Sequence, residues 1–250
     1  MKFAAAKQLS ISLGLYRPAR SLHRQLFRAE RRKFAAHRAL FSQFVKPGDL
    51  AFDVGANIGD RSEIMLSLGA SVIAFEPQAE CAREIRARNN GKLIVVEKAV
   101  GASVGEADFH LKAEPTFSTL ISDSYAAVPD IGIARVQITT LDAAIKEYGK
   151  PDFCKIDVEG FEPEVLCGLS EPLDMLSLEY SSDARGVSNV SSCLEMLSRF
   201  GRTISINLIG GEGSEWLLPK WLSKEDFLGM FPSCTRGYPY GDLYVRLAAV

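Results

Sequence analysis

At 250 residues and 47% hydrophobic content the chain can bury one full core and has length to spare for an extension. Its 29 basic and 31 acidic residues leave a net charge of −2, a balance that selects neither a nucleic acid nor an acidic partner. No apolar run approaches the ~20 residues needed to span a bilayer, and five scattered cysteines with no Cys-x-x-Cys pair read as reduced thiols of a cytosolic protein rather than a disulfide or zinc framework.

The charge is unevenly placed. Residues 1–45 hold ten Lys or Arg against one acid, Glu30, a local charge near +9 that leaves the remainder near −11. The first residues lack a small-residue cleavage site and do not read as a secretory signal, although an Arg-rich, acid-poor start is also a composition used by organelle transit peptides. From Pro18 to Val45, Leu22, Leu26, Phe27, Phe34, Leu40, Phe41 and Phe44 recur at three- and four-residue steps between arginines, which predicts an amphipathic helix begun or broken at Pro18. Such a helix either docks on the acidic core or lies on anionic lipid or nucleic acid, so peripheral membrane contact through residues 1–45 is one of its readings. The turn signal Lys46-Pro47-Gly48-Asp49 separates this extension from a domain spanning 46–250.

After the turn, strand-like and helix-like stretches alternate. Leu50 to Val54 reads as a strand, Ile58 to Leu68 as a helix closed by Gly69, Ser71 to Phe75 as a strand, Pro77 to Asn90 as a helix, and Leu93 to Val96 as a third strand. Residues 99–135 break the rhythm, with one strand candidate at Ala107 to Lys112. The alternation resumes with strands at Val136 to Ile138, Phe153 to Asp157, Met175 to Tyr180, Thr203 to Leu208 and Leu243 to Leu247, and helices at Leu141 to Tyr148, Pro163 to Gly168 and Ser188 to Phe200. This pattern predicts an α/β fold with a Rossmann-like, doubly wound, mostly parallel sheet. Ligands of such sheets bind beyond the carboxyl ends of the strands, which places the chemistry just after Val54, Phe75, Val96 and Asp157.

Three constellations fall there. Asp53-Val54-Gly55-Ala56-Asn57-Ile58-Gly59 is a glycine-rich turn between strand and helix, where Gly55 and Gly59 let backbone approach a ligand and the helix amides face it. A dinucleotide fingerprint would place a third glycine at position 60, which is Asp60, and an acid there repels a pyrophosphate. A ligand without that group, such as S-adenosylmethionine, suits the turn better, its ammonium facing carbonyls and Asp53. The plain alternative is a strand-to-helix turn with a left-handed Asn57. Glu76, at the end of the second strand and 21 positions past Gly55, is placed to accept two ribose hydroxyls, or simply to cap the next helix ahead of Pro77. Finally, Lys155, Asp157, Glu159 and Glu162 crowd the end of a buried strand, where ions are costly unless used or paired. They either face the cleft or form an internal Lys155–Asp157 or Lys155–Glu159 pair.

In combination, DVGANIGDRS (53–62), AFEP (74–77), KIDVEGFEPEVLCG (155–168) and LSLEY (176–180) resemble the FkbM family of class I S-adenosylmethionine-dependent methyltransferases over about residues 45–182. The resemblance implies that family's fold, with seven strands and an antiparallel last one, and O-methylation of hydroxyls on natural products, sugars or lipid-linked glycans. It implies that Asp53, Gly55, Asn57 and Gly59 line the methionine end of the cofactor, that Glu76 holds the ribose, and that Asp157 and Glu159 lie beside the reacting centre. It leaves residues 1–45 unaddressed, and makes 99–135 a variable insertion that shapes the acceptor pocket. Asp157 is the first choice for base or acceptor-orienting group and Glu159 the second. A further reading gathers Asp157, Glu159 and Glu179 around Mg²⁺, whereas His23, His37 and His110 show no ligand spacing. The rival functions are a nicotinamide-dependent oxidoreductase, against which the acid at position 60 counts, and a non-catalytic binding module, against which the charges at 155–162 count.

Overall fold

The computed structural model describes residues 28–88, 91–113, 117–121 and 128–249. The part of the expected N-terminal helix before Arg28 lies outside them, as do Asn90, residues 114–116 and 122–127 of the irregular segment, and Val250. Helix α1 (Arg28–Phe41) leads into β1 (Leu50–Val54), α2 (Asp60–Ser67), β2 (Ser71–Phe75), α3 (Ala79–Arg86) and β3 (Leu93–Val96). Then come β4 (Ala99–Val100), β5 (Gly105–Lys112), β6 (Asp130–Thr139), α4 (Leu141–Tyr148), β7 (Phe153–Ile156), α5 (Glu162–Cys167) and β8 (Met175–Ser181). The chain ends with α6 (Ala184–Ser198), β9 (Thr203–Gly210), α7 (Lys224–Cys234) and β10 (Tyr240–Ala248).

Seven strands form one sheet in the order β3-β2-β1-β7-β8-β10-β9. The pairs among β3, β2, β1, β7 and β8 are parallel, and β10, the last strand, runs antiparallel between β8 and β9. The doubly wound sheet with an antiparallel last strand is therefore as the sequence predicts. The order reverses between β1 and β7, so the connections leaving these two strands part in opposite directions and open a crevice beyond their carboxyl ends.

Both faces of the sheet are covered, which is why its strands read as near-continuous apolar runs. On one face Phe52, Ile73, Cys154, Leu176, Leu243 and Ile206 pack against α4 to α7; on the other, Ala51, Val72, Phe153, Met175 and Tyr244 pack against α1 and α2. Leu40 and Phe41 of α1 are buried, Phe41 meets Phe153 edge-on at 5.6 Å, and Phe44 stacks on Tyr244 at 5.3 Å. Phe34, Leu40, Phe41 and Phe44 of the expected apolar stripe thus pack on the domain, and α1 docks there with Arg28, Arg31 and Arg32 turned outward. Among the described residues no helix is long and apolar enough to cross a membrane.

Three features depart from the sequence-based expectation. Strand β6 runs over ten residues rather than three and joins β4 and β5 in a separate three-stranded sheet. Most of β6 is exposed, its register with β5 sets Arg135 against Asp108 at 3.0 Å, and only a small apolar cluster of Val136 with Ala99 and Phe109 lies beneath it, so it carries no continuous apolar run. Helix α7 was not expected because Gly229 and Pro232 lie inside it; its start is fixed by Ser223, whose hydroxyl accepts from the Asp226 amide, and its burial by Phe227 and Phe231. Helices α2 and α3 each begin two residues later than predicted, because Gly59 is left-handed and because the Gln78 amide is taken by Glu76.

Candidate active site

The turn leaving β1 passes against the end of β7. Gly55 (φ +78°), Asn57 (φ +49°) and Gly59 (φ +79°) all lie in the left-handed region. A Cβ on Gly55 would sit 1.8 Å from the carbonyl oxygen of Asp157, so only glycine allows the two backbones to approach this closely. The Gly55 and Ala56 amides both donate to the Phe75 carbonyl, at 3.0 Å each, which ties the turn to the end of β2. No side chain caps α2, so the first turn of that helix faces the crevice with backbone amides.

Glu76 joins the two turns that frame this side. One carboxylate oxygen accepts from the Asn57 amide at 2.7 Å and the other from the Gln78 amide at 2.8 Å. The group is buried, and burial pushes its pKa up to about 7 although these hydrogen bonds favour the anion. The Gln78 side chain bonds the carboxylate as well, and two oxygens with four lone pairs between them still leave room for a further donor. Asp53 lies deeper, beneath the turn. It is 1% exposed and accepts the Ser62 hydroxyl at 2.5 Å, and burial raises its pKa.

Across the crevice, the loop after β7 carries the acidic cluster. Carboxylate oxygens of Asp157, Glu159 and Glu179 lie within 4.8 Å of one another. Lys155, 1% exposed, places its ammonium 2.6 Å from Asp157 and 3.4 Å from Asp242 on β10. Burial opposes the charge on Lys155, but these two carboxylates outweigh it and hold the ammonium protonated. Burial likewise pushes Asp157 up, yet Lys155 beside it and a hydrogen bond from Glu179 hold it below the ordinary carboxylate range. Glu179 moves the opposite way, raised well above its usual value by burial and by Asp157, Glu159 and Glu162 around it. Of the two carboxyls, Asp157 beside the Lys155 ammonium is thus the one that favours the anion and Glu179 the one that favours the proton. The three oxygens are of the kind a hard divalent cation takes, although the Lys155 ammonium 2.6 Å from Asp157 already takes up one side of the group.

The loop is braced from three sides. Glu159 adopts φ +58°, a conformation a glutamate rarely takes. Buried Glu162 accepts with one oxygen from the Val158 amide at 3.1 Å and the Gly160 amide at 3.2 Å, and Asn189 of α6 donates to the Gly160 carbonyl at 2.9 Å. Thr119, from the segment between β5 and β6, donates to the Glu159 carbonyl at 3.4 Å. The variable segment thus reaches this loop through Thr119.

The structure gathers the predicted residues in two groups, Asp53, Gly55, Asn57, Gly59 and Glu76 around the first turn and Asp157 and Glu159 with Glu179 beside it, joined where Gly55 meets the Asp157 backbone. Sequence reasoning missed Asp242 and Arg61. Arg61 lies among Asp242, Glu212, Tyr244 and Asp157, which raise its pKa against the effect of burial, and contacts Glu212 at 3.4 Å. The available signal for Asp242 was a lone acid early in an otherwise apolar strand, since a buried acid needs a cation.

Comparison with known proteins gives three results. Residues 53–200 match the methyltransferase FkbM domain. Over 134 residues the chain is 30% identical to the hexuronic acid methyltransferase AglP of Haloferax volcanii, covering 52% of this chain and 53% of that protein, so the chain matches about half the length of this curated relative. The fold superposes on precorrin-6y C5,15-methyltransferase of Geobacter metallireducens GS-15 with a TM-score of 0.45 and 11% identity, over 85% of this chain and 87% of the other. It superposes on the O-methyltransferase of Bacillus cereus in complex with SAH with a TM-score of 0.41 and 12% identity, over 86% and 80%.

Proposed function

The chain belongs to the FkbM methyltransferase family, and from that premise we propose that it transfers the methyl group of S-adenosylmethionine to a hydroxyl oxygen of a sugar, glycan or natural-product acceptor. The observation that carries this reading is the contact between the two halves of the site: the glycine turn at 55–59 abuts the backbone of Asp157, so a donor held by the turn lies next to the carboxylates that would hold an acceptor. The curated relative acts on hexuronic acid, which supports a sugar acceptor.

The turn at 55–59 would hold the methionine end of the cofactor, and Glu76 the ribose hydroxyls. Bound there, S-adenosylmethionine supplies an electrophilic methyl group. The chain's own task is placement, since an in-line displacement gains most from holding the attacking oxygen ~3–3.5 Å from the methyl carbon. Asp157, kept anionic by Lys155, accepts the hydrogen bond of the acceptor hydroxyl and orients it. Glu159, fixed in its left-handed conformation by Glu162, Thr119 and Asn189, stands on the same side as a second acceptor for the proton. A nicotinamide nucleotide suits this cleft less well, because position 60 holds an acid that is engaged by Arg88 at 3.3 Å. All five cysteines are free, which supports assignment to the reducing cytosol.

Calorimetry with S-adenosylhomocysteine and NAD, followed by transfer of labelled methyl from S-adenosylmethionine to hexuronic-acid-bearing oligosaccharides, tests the reading. Binding of S-adenosylhomocysteine alone is expected, and tight NAD binding without it would overturn the proposal. Asp157→Asn is expected to keep cofactor affinity while lowering transfer by about a hundredfold.

A further inference from the structure

Arg61 stands in the first turn of α2, directly after the turn proposed to hold the cofactor, and the methyl transfer described above gives it no task. The acids around it are Asp242 and Asp157 of the site and Glu212 of the loop after β9. Of its N–H donors, one reaches a partner among the described residues, Glu212 at 3.4 Å. Two buried polar atoms near it, His37 Nε2 on α1 and Tyr244 Oη on β10, make no hydrogen bond among the described residues. Buried polar atoms without a partner are costly. A guanidinium with donors to spare and a phenol are groups that take an anion, and an imidazole becomes one when protonated.

Glu212 occupies that position in the chain alone. Its carboxylate bridges Arg61 at 3.4 Å and Lys33 of α1 at 3.2 Å, yet its side chain is 54% exposed. An ion pair exposed to that degree is weak, so an incoming anion can take its place on Arg61. The surroundings connect this position to the acceptor side. Register sets Asp242 opposite Glu179 across β10 and β8, and Tyr240, exposed at the rim, lies near both Glu212 and Glu179. Tyr238, also exposed, lays its ring on Gly210, where a Cβ would come within 2.2 Å of it. Aromatic faces with a few placed polar groups are what a small-molecule site offers, and a sugar ring can lie on them. In a cleft otherwise lined by carboxylates, one guanidinium fixes where a negative group can sit and turns it away elsewhere. We propose that Arg61 is a specificity-determining residue of the acceptor side and binds an anionic group of the acceptor, the carboxylate of an acidic sugar or a phosphate, in place of Glu212. The inference rests on the methyl transfer proposed above and adds the charge of its substrate.

Saturation-transfer NMR titrations of the full chain, loaded with S-adenosylhomocysteine, test the proposal with D-glucuronate, D-glucose 6-phosphate and D-glucose as probes. At least one of the two anionic sugars is expected to bind about tenfold or more tighter than glucose, as a charge-assisted hydrogen bond allows, and the tighter of the two identifies the group as carboxylate or phosphate. Arg61→Gln should abolish that preference. Glu212→Ala removes the competing carboxylate and should tighten binding of the anionic sugar severalfold, a gain that a destabilised fold does not produce. Binding of neither anionic sugar more tightly than glucose, or a Glu212→Ala variant that binds the anionic sugar no more tightly than the unaltered protein, would overturn the inference. Since the protein in that experiment holds S-adenosylhomocysteine, the proposed methyl transfer would survive such a result, whereas a chain that binds no S-adenosylhomocysteine loses both.

Discussion

Gly55 is where the turn after β1 meets the loop after β7, and Gly55→Ala tests that contact most directly. The new methyl group would start 1.8 Å from a backbone oxygen, and relief to the 3.0 Å that real Cβ atoms require means moving the turn away from β7 by more than an ångström. Two costs add. Holding alanine in a left-handed conformation costs roughly 1–2 kcal/mol, and forcing a methyl group into packed backbone costs roughly 1–3 kcal/mol more. Gly201 supplies the control, since it has φ +62° but nothing within 4 Å of its would-be Cβ, so Gly201→Ala bears only the first cost. Urea unfolding should therefore show Gly55→Ala less stable than Gly201→Ala by roughly 1–3 kcal/mol. A shift of about an ångström in the turn should also cost about a hundredfold in transfer, and calorimetry with S-adenosylhomocysteine should show weakened binding for Gly55→Ala alone. Equal stability and equal affinity in the two variants would refute the close approach and with it the adjacency of the two halves.

Further tests follow from the buried charges. Glu76→Gln replaces one of two acceptor oxygens by an NH₂ group that faces a backbone amide, and should weaken S-adenosylhomocysteine binding by about tenfold or more, as expected when a buried donor loses its partner; unchanged affinity would remove Glu76 from the cofactor site. Glu162 has its pKa raised by burial from 4.5 to about 7, so the folded state binds the extra proton and the stability this contributes is full below pH 4.5 and lost as pH rises through about 7. Glu162→Gln can keep both amide hydrogen bonds, because both go to one oxygen. Its stability relative to the unaltered protein should accordingly improve by up to about 1.4 kcal/mol per pH unit across that interval, and a flat difference between the two would show that Glu162 is not a buried acid. Lys155→Met removes the cation that contacts both Asp157 and Asp242, leaving them only the more distant Arg61, and should cost about 3–5 kcal/mol in urea unfolding, part of it recovered by adding Asp242→Asn; a variant as stable as the original would show that the pairs contribute nothing.

Which parts of this structure could be read from the sequence follows from where the information sits. The parallel strands were legible because burial on both faces leaves runs such as Leu50–Val54 and Phe153–Ile156 nearly all apolar, and the turn at 53–59 was legible because left-handed backbone demands residues such as glycine and asparagine. Strand β6 was not, because most of its residues are exposed and only a small apolar cluster of Val136 with Ala99 and Phe109 lies beneath it. Helix α7 was hidden by Gly229 and Pro232, whose local preference is overridden by the burial of Phe227 and Phe231.

The same distinction separates the seen from the unseen in the site. Lys155, Asp157, Glu159 and Glu162 are neighbours in sequence, so their crowding signals itself, but the partner that balances Lys155 lies 87 positions away. That distance changes the reading of the cluster. With only the local residues in view, one lysine faces three carboxylates, and a metal ion is a reasonable way to restore balance. Once β10 brings Asp242 to Lys155 and Arg61 stands among Asp242, Glu212 and Asp157, the cations and acids form one network, in which Glu179 is the carboxyl that favours its proton. A proton held between Glu179 and Asp157 also limits Asp157 as a base, because a carboxylate already hydrogen-bonded and paired gains little by taking another. On the proposed function, Asp157 would orient the acceptor hydroxyl, and Glu159, whose backbone at φ +58° is held in place by three separate elements, would be the better placed to take its proton.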